Sequence, residues 1–127
     1  MAKNKKRNKN ILVFFDEVYM QEFLVIFAPT HKQFCEIVKD RIGFEPDSCE
    51  DGNQPSGEFH GLTNKKMGSL AVIWSSDKDE ALTHEIFHAV CYTLRNREIH
   101  LEDCSSEEAY AYYLTYLRRK IKREMNG

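Results

Sequence analysis

At 127 residues, 42% hydrophobic and 30% charged, with a formal net charge of -2, the chain has the size and composition of one globular domain. Its longest apolar runs, "ILVFF", "FLVIFA" and "LAVIW", are strand-sized and far too short to span a membrane. No signal peptide is readable at the N-terminus, so a cytoplasmic location is expected.

The small net charge hides an asymmetry. Lys3, Lys5, Lys6, Arg7 and Lys9 crowd one end, and Arg118, Arg119, Lys120, Lys122 and Arg123 the other, while 19 acids face eight bases between. Residues 1–9 are expected to form a disordered basic arm before a single domain spanning residues 10–127. Basic termini can make weak contact with nucleic acid, but no aromatic residue interleaves with the first cluster to stack on bases. Cys35, Cys49, Cys91 and Cys104 form no C-x-x-C pair, so free thiols are expected and a cysteine metal site is not.

In chain order, residues 11–18 and 22–28 are β-branched and aromatic runs that predict a hairpin. Pro29 ends the second strand, and Thr30 can cap a helix that carries Phe34, Ile37, Val38, Arg41 and Ile42 at helical spacing until Gly43 stops it. Residues 45–57 form the longest loop, placed to border a site. Strands follow at about 58–63 and 68–75, joined by "NKKM". A helix is expected over 78–95, capped by Ser76 with Asp79 or by Asp77 with Glu80. The last helix begins near Ser105 or Ser106. The order β-β-α-β-β-α-α predicts an α+β fold, a mixed or antiparallel sheet of about four strands on three helices.

Chemistry concentrates in "EALTHEIFHAVCYTL", residues 80–94. Residues i and i+4 share a helix face, so His84 and His88 point the same way and one tetrahedral zinc can bridge them. Glu85 stands beside the first ligand as a general base toward water. This is H-E-x-x-H, two metal ligands plus a base, the signature of zinc peptidases. Ile86, Phe87, Ala89, Val90 and Leu94 are expected to bury the helix. A buried carboxylate between two imidazoles is hard to justify without a cation, because unpaired buried charge is expensive.

A catalytic zinc needs a third protein ligand. The metzincin continuation H-E-x-x-H-x-x-G-x-x-H is excluded, since Cys91 and Leu94 hold its last two fixed places. Glu98, His100, Glu102, Asp103, Glu107 and Glu108 remain downstream. On the last helix Tyr110, Tyr113, Leu114, Leu117 and Ile121 form an apolar face nearer to Glu107. Glu108 shares a stripe with Ala111, Tyr112 and Thr115.

"HEIFH" followed by a glutamate 20 residues after the second histidine resembles the gluzincins. Together with "LAVIW" and "EEAYAYYL", it also resembles small phage- and prophage-encoded metallopeptidases over residues 70–117. The resemblance implies a zincin-like fold, a zinc cofactor held by His84, His88 and Glu108 (with Glu107 the alternative), and Glu85 as the catalytic base. It further implies a peptide or protein substrate laid along an exposed sheet edge, expected at residues 68–75. Larger gluzincins stabilise the oxyanion from a further domain; His60, His100, Tyr112 and Tyr116 are the substitutes on this chain. Two rival readings stand beside the peptidase. One is a zinc-stabilised interaction module in phage regulation or assembly, and the other a nucleic-acid-associated protein working through its basic termini.

Overall fold

The computed structural model describes residues 10–50, 55–64, 68–102 and 104–126. The expected arm at residues 1–9, part of the 45–57 loop, most of "NKKM" and Asp103 therefore lie outside the described residues. The elements are β1 (Ile11–Asp16), β2 (Gln21–Phe27), α1 (His31–Ile42), a 3-10 turn (Asp47–Glu50), β3 (Gly57–Asn64), β4 (Gly68–Ser75), α2 (Glu80–Asn96) and α3 (Cys104–Asn126). The fold is a small α+β one, with a four-stranded mixed sheet and three helices.

The hairpin closes because Asp16 turns inward at the end of β1. Its carboxylate accepts hydrogen bonds from the Val18 and Tyr19 amides at 3.2 and 3.1 Å, and Met20 completes the reversal at a positive φ of 54°. Thr30 caps α1 as its sequence predicts: its hydroxyl accepts from the Gln33 amide, and the Gln33 side chain accepts from the Thr30 amide. Gly43 ends α1 at φ 67°, a conformation that suits glycine.

The strand order is β1-β2-β4-β3. β1 and β2 run antiparallel, as do β3 and β4, while β2 and β4 run parallel. β4 is thus an interior strand. The substrate edge expected at residues 68–75 is corrected: β3 lies outside it and forms the edge beneath α2. A hairpin β3–β4 docked on β2 through β4 buries the more apolar strand on both faces, and periodicity alone does not reveal that docking.

Alternation along the central strands feeds two cores. Phe23, Val25, Phe27, Ala71 and Ile73 pack with Leu82, Ile86, Ala89, Val90 and Leu94 of α2 and with Tyr110, Tyr113, Leu117, Ile121 and Met125 of α3. Leu24, Ile26, Val72 and Trp74 pack on the other face with Phe34 and Val38 of α1. The Trp74 indole donates to the Ala28 carbonyl at 3.0 Å, which satisfies its one polar atom inside that core.

Two pins set the register of α3 along α2. Arg118 Nε donates to Thr83 Oγ1 at 2.9 Å, and the Tyr110 hydroxyl donates to the Ile99 carbonyl at 2.8 Å. The helices therefore run antiparallel, with the first turns of α3 beside the C-terminal end of α2. Among the described residues no helix is long and apolar enough to cross a membrane.

Candidate metal centre on helix α2

Asp77 organises the start of α2. Its carboxylate accepts from the Asp79 amide at 2.8 Å and from the Ala81 amide at 3.3 Å, while Asp79 occupies the cap position without a side-chain cap bond. Leu82, Ile86, Ala89, Val90 and Leu94 then turn inward. Phe87 does not join them and is 40% exposed, which corrects its expected core role.

The signature residues divide between the two flanks of α2. His84 and His88 are exposed, and Glu85 alone of the three is buried. The imidazoles are therefore not buried core groups awaiting a cation; they lie at the surface with only the carboxylate drawn beneath. Their Nε2 atoms are 3.2 Å apart, and His84 Nε2 is 3.9 Å from Glu85 Oε2. The ligand atoms of His84, Glu85 and His88 all lie within 4.8 Å of one another.

Burial raises the Glu85 carboxyl above its usual range; His84 opposes that rise and Glu58 adds to it. Partial shielding of its ring from water lowers His88, and His84 lowers it further. A lowered imidazole keeps the lone pair free, the form a cation requires. The separation of the two nitrogens also fits, because donors on a tetrahedral zinc stand roughly 3.3 Å apart when each bond is about 2.0–2.1 Å. The residues present fit such an ion.

The edge strand closes one side of this group. The Phe59 ring stacks near His88 at 6.4 Å and meets Tyr92 edge-on at 5.5 Å. Tyr92, one turn beyond His88, donates its hydroxyl to the Leu62 carbonyl at 3.3 Å. Gly57 and Gly61 share this face of β3, and both are filled by α2. A Cβ on Gly57 would stand 2.9 Å from Glu85 Cγ, and one on Gly61 would stand 2.2 Å from the Tyr92 ring. Sequence reading missed Gly57, Phe59, Gly61 and Tyr92. The signal was present, since glycines at 57 and 61 flank Phe59 with strand alternation and Tyr92 continues the His84–His88 stripe.

Among the described residues, none of the downstream ligand candidates joins the group, and Asp103 lies outside those residues. Glu107 and Glu108 are both exposed, and so are Ala111, Tyr112 and Thr115, the stripe expected to face α2. The stripe carrying Glu108 is the solvent side of α3, and the antiparallel register sets the first turns of that helix beside Ile99 rather than His88. Glu98 and His100 lie past the end of α2, 3.7 Å apart, and the Glu102 amide donates to Ser106 Oγ at 3.0 Å.

The oxyanion candidates are dispersed as well. Tyr112 is 72% exposed on α3, Tyr116 stacks on Tyr113, and His100 is exposed beyond α2. His60 points to the α1 face of β3, where it pairs with Glu58. The alternation of β3 separates His60 from the α2 face.

The basic C-terminal cluster is spread over a folded helix. Arg118 is held by Thr83, Lys120 lies over the Phe14 ring at 5.2 Å, and Lys122 pairs with Asp79 at 3.2 Å. The cysteines differ from expectation too: Cys35 and Cys49 are joined in a disulfide, while Cys91 is free. The two cysteines are 14 residues apart in sequence, and the packing of the 3-10 turn on α1 brings their sulfurs together.

No protein-family model matches the chain, and no curated protein or solved structure matches it.

Proposed function

We propose that this chain is a zinc-dependent peptidase of zincin type, built on His84, Glu85 and His88. The observation that carries the reading is the geometry of α2. Two imidazole nitrogens converge at 3.2 Å, with a buried carboxylate beside them and β3, the outermost strand of the described sheet, alongside. His84 and His88 would hold the metal. A zinc bound there would supply Lewis acidity toward a water and a carbonyl oxygen.

The chain's own residues do the remainder. The buried Glu85 carboxylate, its pKa raised by burial, accepts a proton from water and returns it to the departing amine. The outer edge of β3, beyond which no strand lies among the described residues, would offer backbone groups to an extended peptide lying as a fifth strand. The substrate is accordingly a peptide or a locally unfolded segment of protein, and a cytoplasmic setting belongs to the same reading.

Glu108 is the third ligand implied by family spacing, with Glu107 the alternative. The exposure of both favours a second reading, in which the pair on α2 holds zinc weakly and the chain serves as an interaction module. Contact of nucleic acid with the basic termini is the third reading, and the engagement of Arg118, Lys120 and Lys122 within the fold weighs against it.

The deciding experiment compares zinc-loaded wild type with Glu85→Gln on a broad peptide library, read by mass spectrometry. Glutamine keeps the shape but cannot accept the proton, so cleavage should fall by about 10²–10⁴-fold. Equal cleavage of the same bonds by both proteins sinks the mechanism. Equal zinc content with no cleavage by either selects the interaction module.

A further inference from the structure

On the face of β3 opposite Glu85, a second constellation converges. His31 opens α1, Cys35 stands one turn later on the same stripe, and Cys49 arrives from the 3-10 turn. The donor atoms of these three residues all lie within 4.8 Å of one another. His31 Nε2 is 3.8 Å from Cys35 Sγ and 2.9 Å from Glu58 Oε1. Ser48 Oγ donates to Glu58 Oε2 at 2.8 Å, and His60 Nε2 bonds the same oxygen. His31 is buried and Glu58 nearly so, with side chains 5% and 15% exposed.

A disulfide alone does not call for this company. It needs neither an imidazole aimed at one of its sulfurs nor a carboxylate fixed by a serine and a second histidine. We infer that the cluster is a second metal site, alternative to the disulfide, in which His31, Cys35 and Cys49 bind one zinc ion when the two cysteines are reduced, with Glu58 beside His31. Two thiolates and one imidazole, with a fourth position left to water, make a donor set suited to zinc. The 3.8 Å between His31 Nε2 and Cys35 Sγ is already about the spacing of two ligands on one ion. Glu58, itself held by His60 and Ser48, bonds His31 and so orients that imidazole, the role that carboxylates play around metal-ligating histidines. The site is separate from the pair on α2 and does not depend on the peptidase reading.

The exchange balances. A dithiol reductant gives two electrons and two protons to the Cys35–Cys49 bond, leaving two thiols and becoming a disulfide itself. Each thiol then releases its proton to solvent as it takes up the cation. Either staple, sulfur–sulfur or sulfur–zinc–sulfur, ties the 3-10 turn to α1. A reducing compartment would select the zinc form.

The test uses the full chain carrying His84→Ala and His88→Ala, which silences the pair on α2. The protein is prepared with the disulfide intact, or opened by a phosphine that ends as its oxide. Each form is titrated with cobalt(II), reading thiolate-to-metal charge-transfer absorption, and with zinc against a chromophoric chelator. The reduced form should bind one equivalent with the charge-transfer band, the oxidised form none, and Cys35→Ser with Cys49→Ser should abolish the band. Reduced protein without the band, or equal uptake by both forms, overturns the site. A readout free of substitutions is alkylation of reduced wild type, read by peptide mass spectrometry. Zinc should slow labelling of Cys35 and Cys49 at least tenfold while Cys91 reacts as before, and no protection of that pair overturns the proposal.

Discussion

The carboxylate of Glu85 rests against the bare Cα of Gly57. A methyl group on that glycine would stand 2.9 Å from Glu85 Cγ and 3.0 Å from both Glu85 Oε2 and the Trp74 carbonyl oxygen. The proposed base is thereby held between its own helix and the edge strand. The carbonyl cannot yield without opening the β3–β4 ladder, so the side chain must. Gly57→Ala should destabilise the fold by about 1–3 kcal/mol through overpacking, measured by urea unfolding. A variant as stable as wild type would mean that this approach is looser than the distances state.

The second close approach, between Gly61 and Tyr92, gives a cleaner test because its obstacle is one side chain. Gly61→Ala places a methyl group 2.2 Å from a ring that is also held by Phe59 and the Leu62 carbonyl. The cost should again be about 1–3 kcal/mol, and it should largely vanish when Gly61→Ala is made in a Tyr92→Ala background. Additive effects in that double-mutant cycle would show that the two residues do not share the space.

Removing one proposed ligand should remove the metal. His88→Ala is expected to abolish zinc binding at α2, while the exposed position of His88 keeps the cost to the apoprotein within about 0.5 kcal/mol. Metal content after dialysis, measured in proteins whose Cys35–Cys49 disulfide is intact, isolates this site from the cysteine cluster. Equal zinc in wild type and variant would refute the assignment.

The two glutamates of α3 separate family spacing from geometry. If Glu108 completes the site as the resemblance implies, Glu108→Ala weakens zinc binding more than Glu107→Ala does. The exposed stripe and the register of α3 lead to a different expectation: both substitutions leave zinc affinity within about twofold, because neither side chain meets the His84–His88 pair. A selective loss in either variant would require the first turns of α3 to reach α2 when metal binds. Isothermal titration of the three proteins decides.

Tyr113 sets an alkaline limit on stability. Burial first, and then its 2.6 Å hydrogen bond to Asp16, raise the hydroxyl far above its ordinary value of 10.0. Below that value folded and unfolded chains both keep the proton, and the contribution is fully present. As pH rises through it the unfolded chain releases the proton and the folded chain does not, so stability falls by up to about 1.4 kcal/mol per pH unit from this group. Tyr113→Phe should cost about 1–3 kcal/mol near neutrality through the lost bond to a carboxylate. It should also flatten the decline between roughly pH 10 and 11. Parallel stability–pH curves for the two proteins would remove Tyr113 from that role.

Local patterns made most of the fold legible. The hairpin, the Thr30 cap, the Gly43 stop and the apolar faces of α2 and α3 all follow from interactions within a few residues, and each stands within a residue or two of its expected place. H-E-x-x-H was legible for the same reason: i and i+4 positions on one helix meet whatever surrounds them. Pairings between distant segments were not legible. That β4 lies inside the sheet and β3 at its edge depends on which strand β2 accepts as a parallel neighbour. No periodicity within β4 encodes that choice. The axial register of α3 decides where Glu107 and Glu108 stand, and it is fixed by the pins at Thr83 and Ile99, not by an offset counted along the chain. The Cys35–Cys49 bond likewise needs α1 and the 3-10 turn folded onto β3. The sequence determined which side chains could do chemistry on their own helix; only the tertiary structure decided which residues from elsewhere reach them, because that outcome belongs to the packing of the whole sheet.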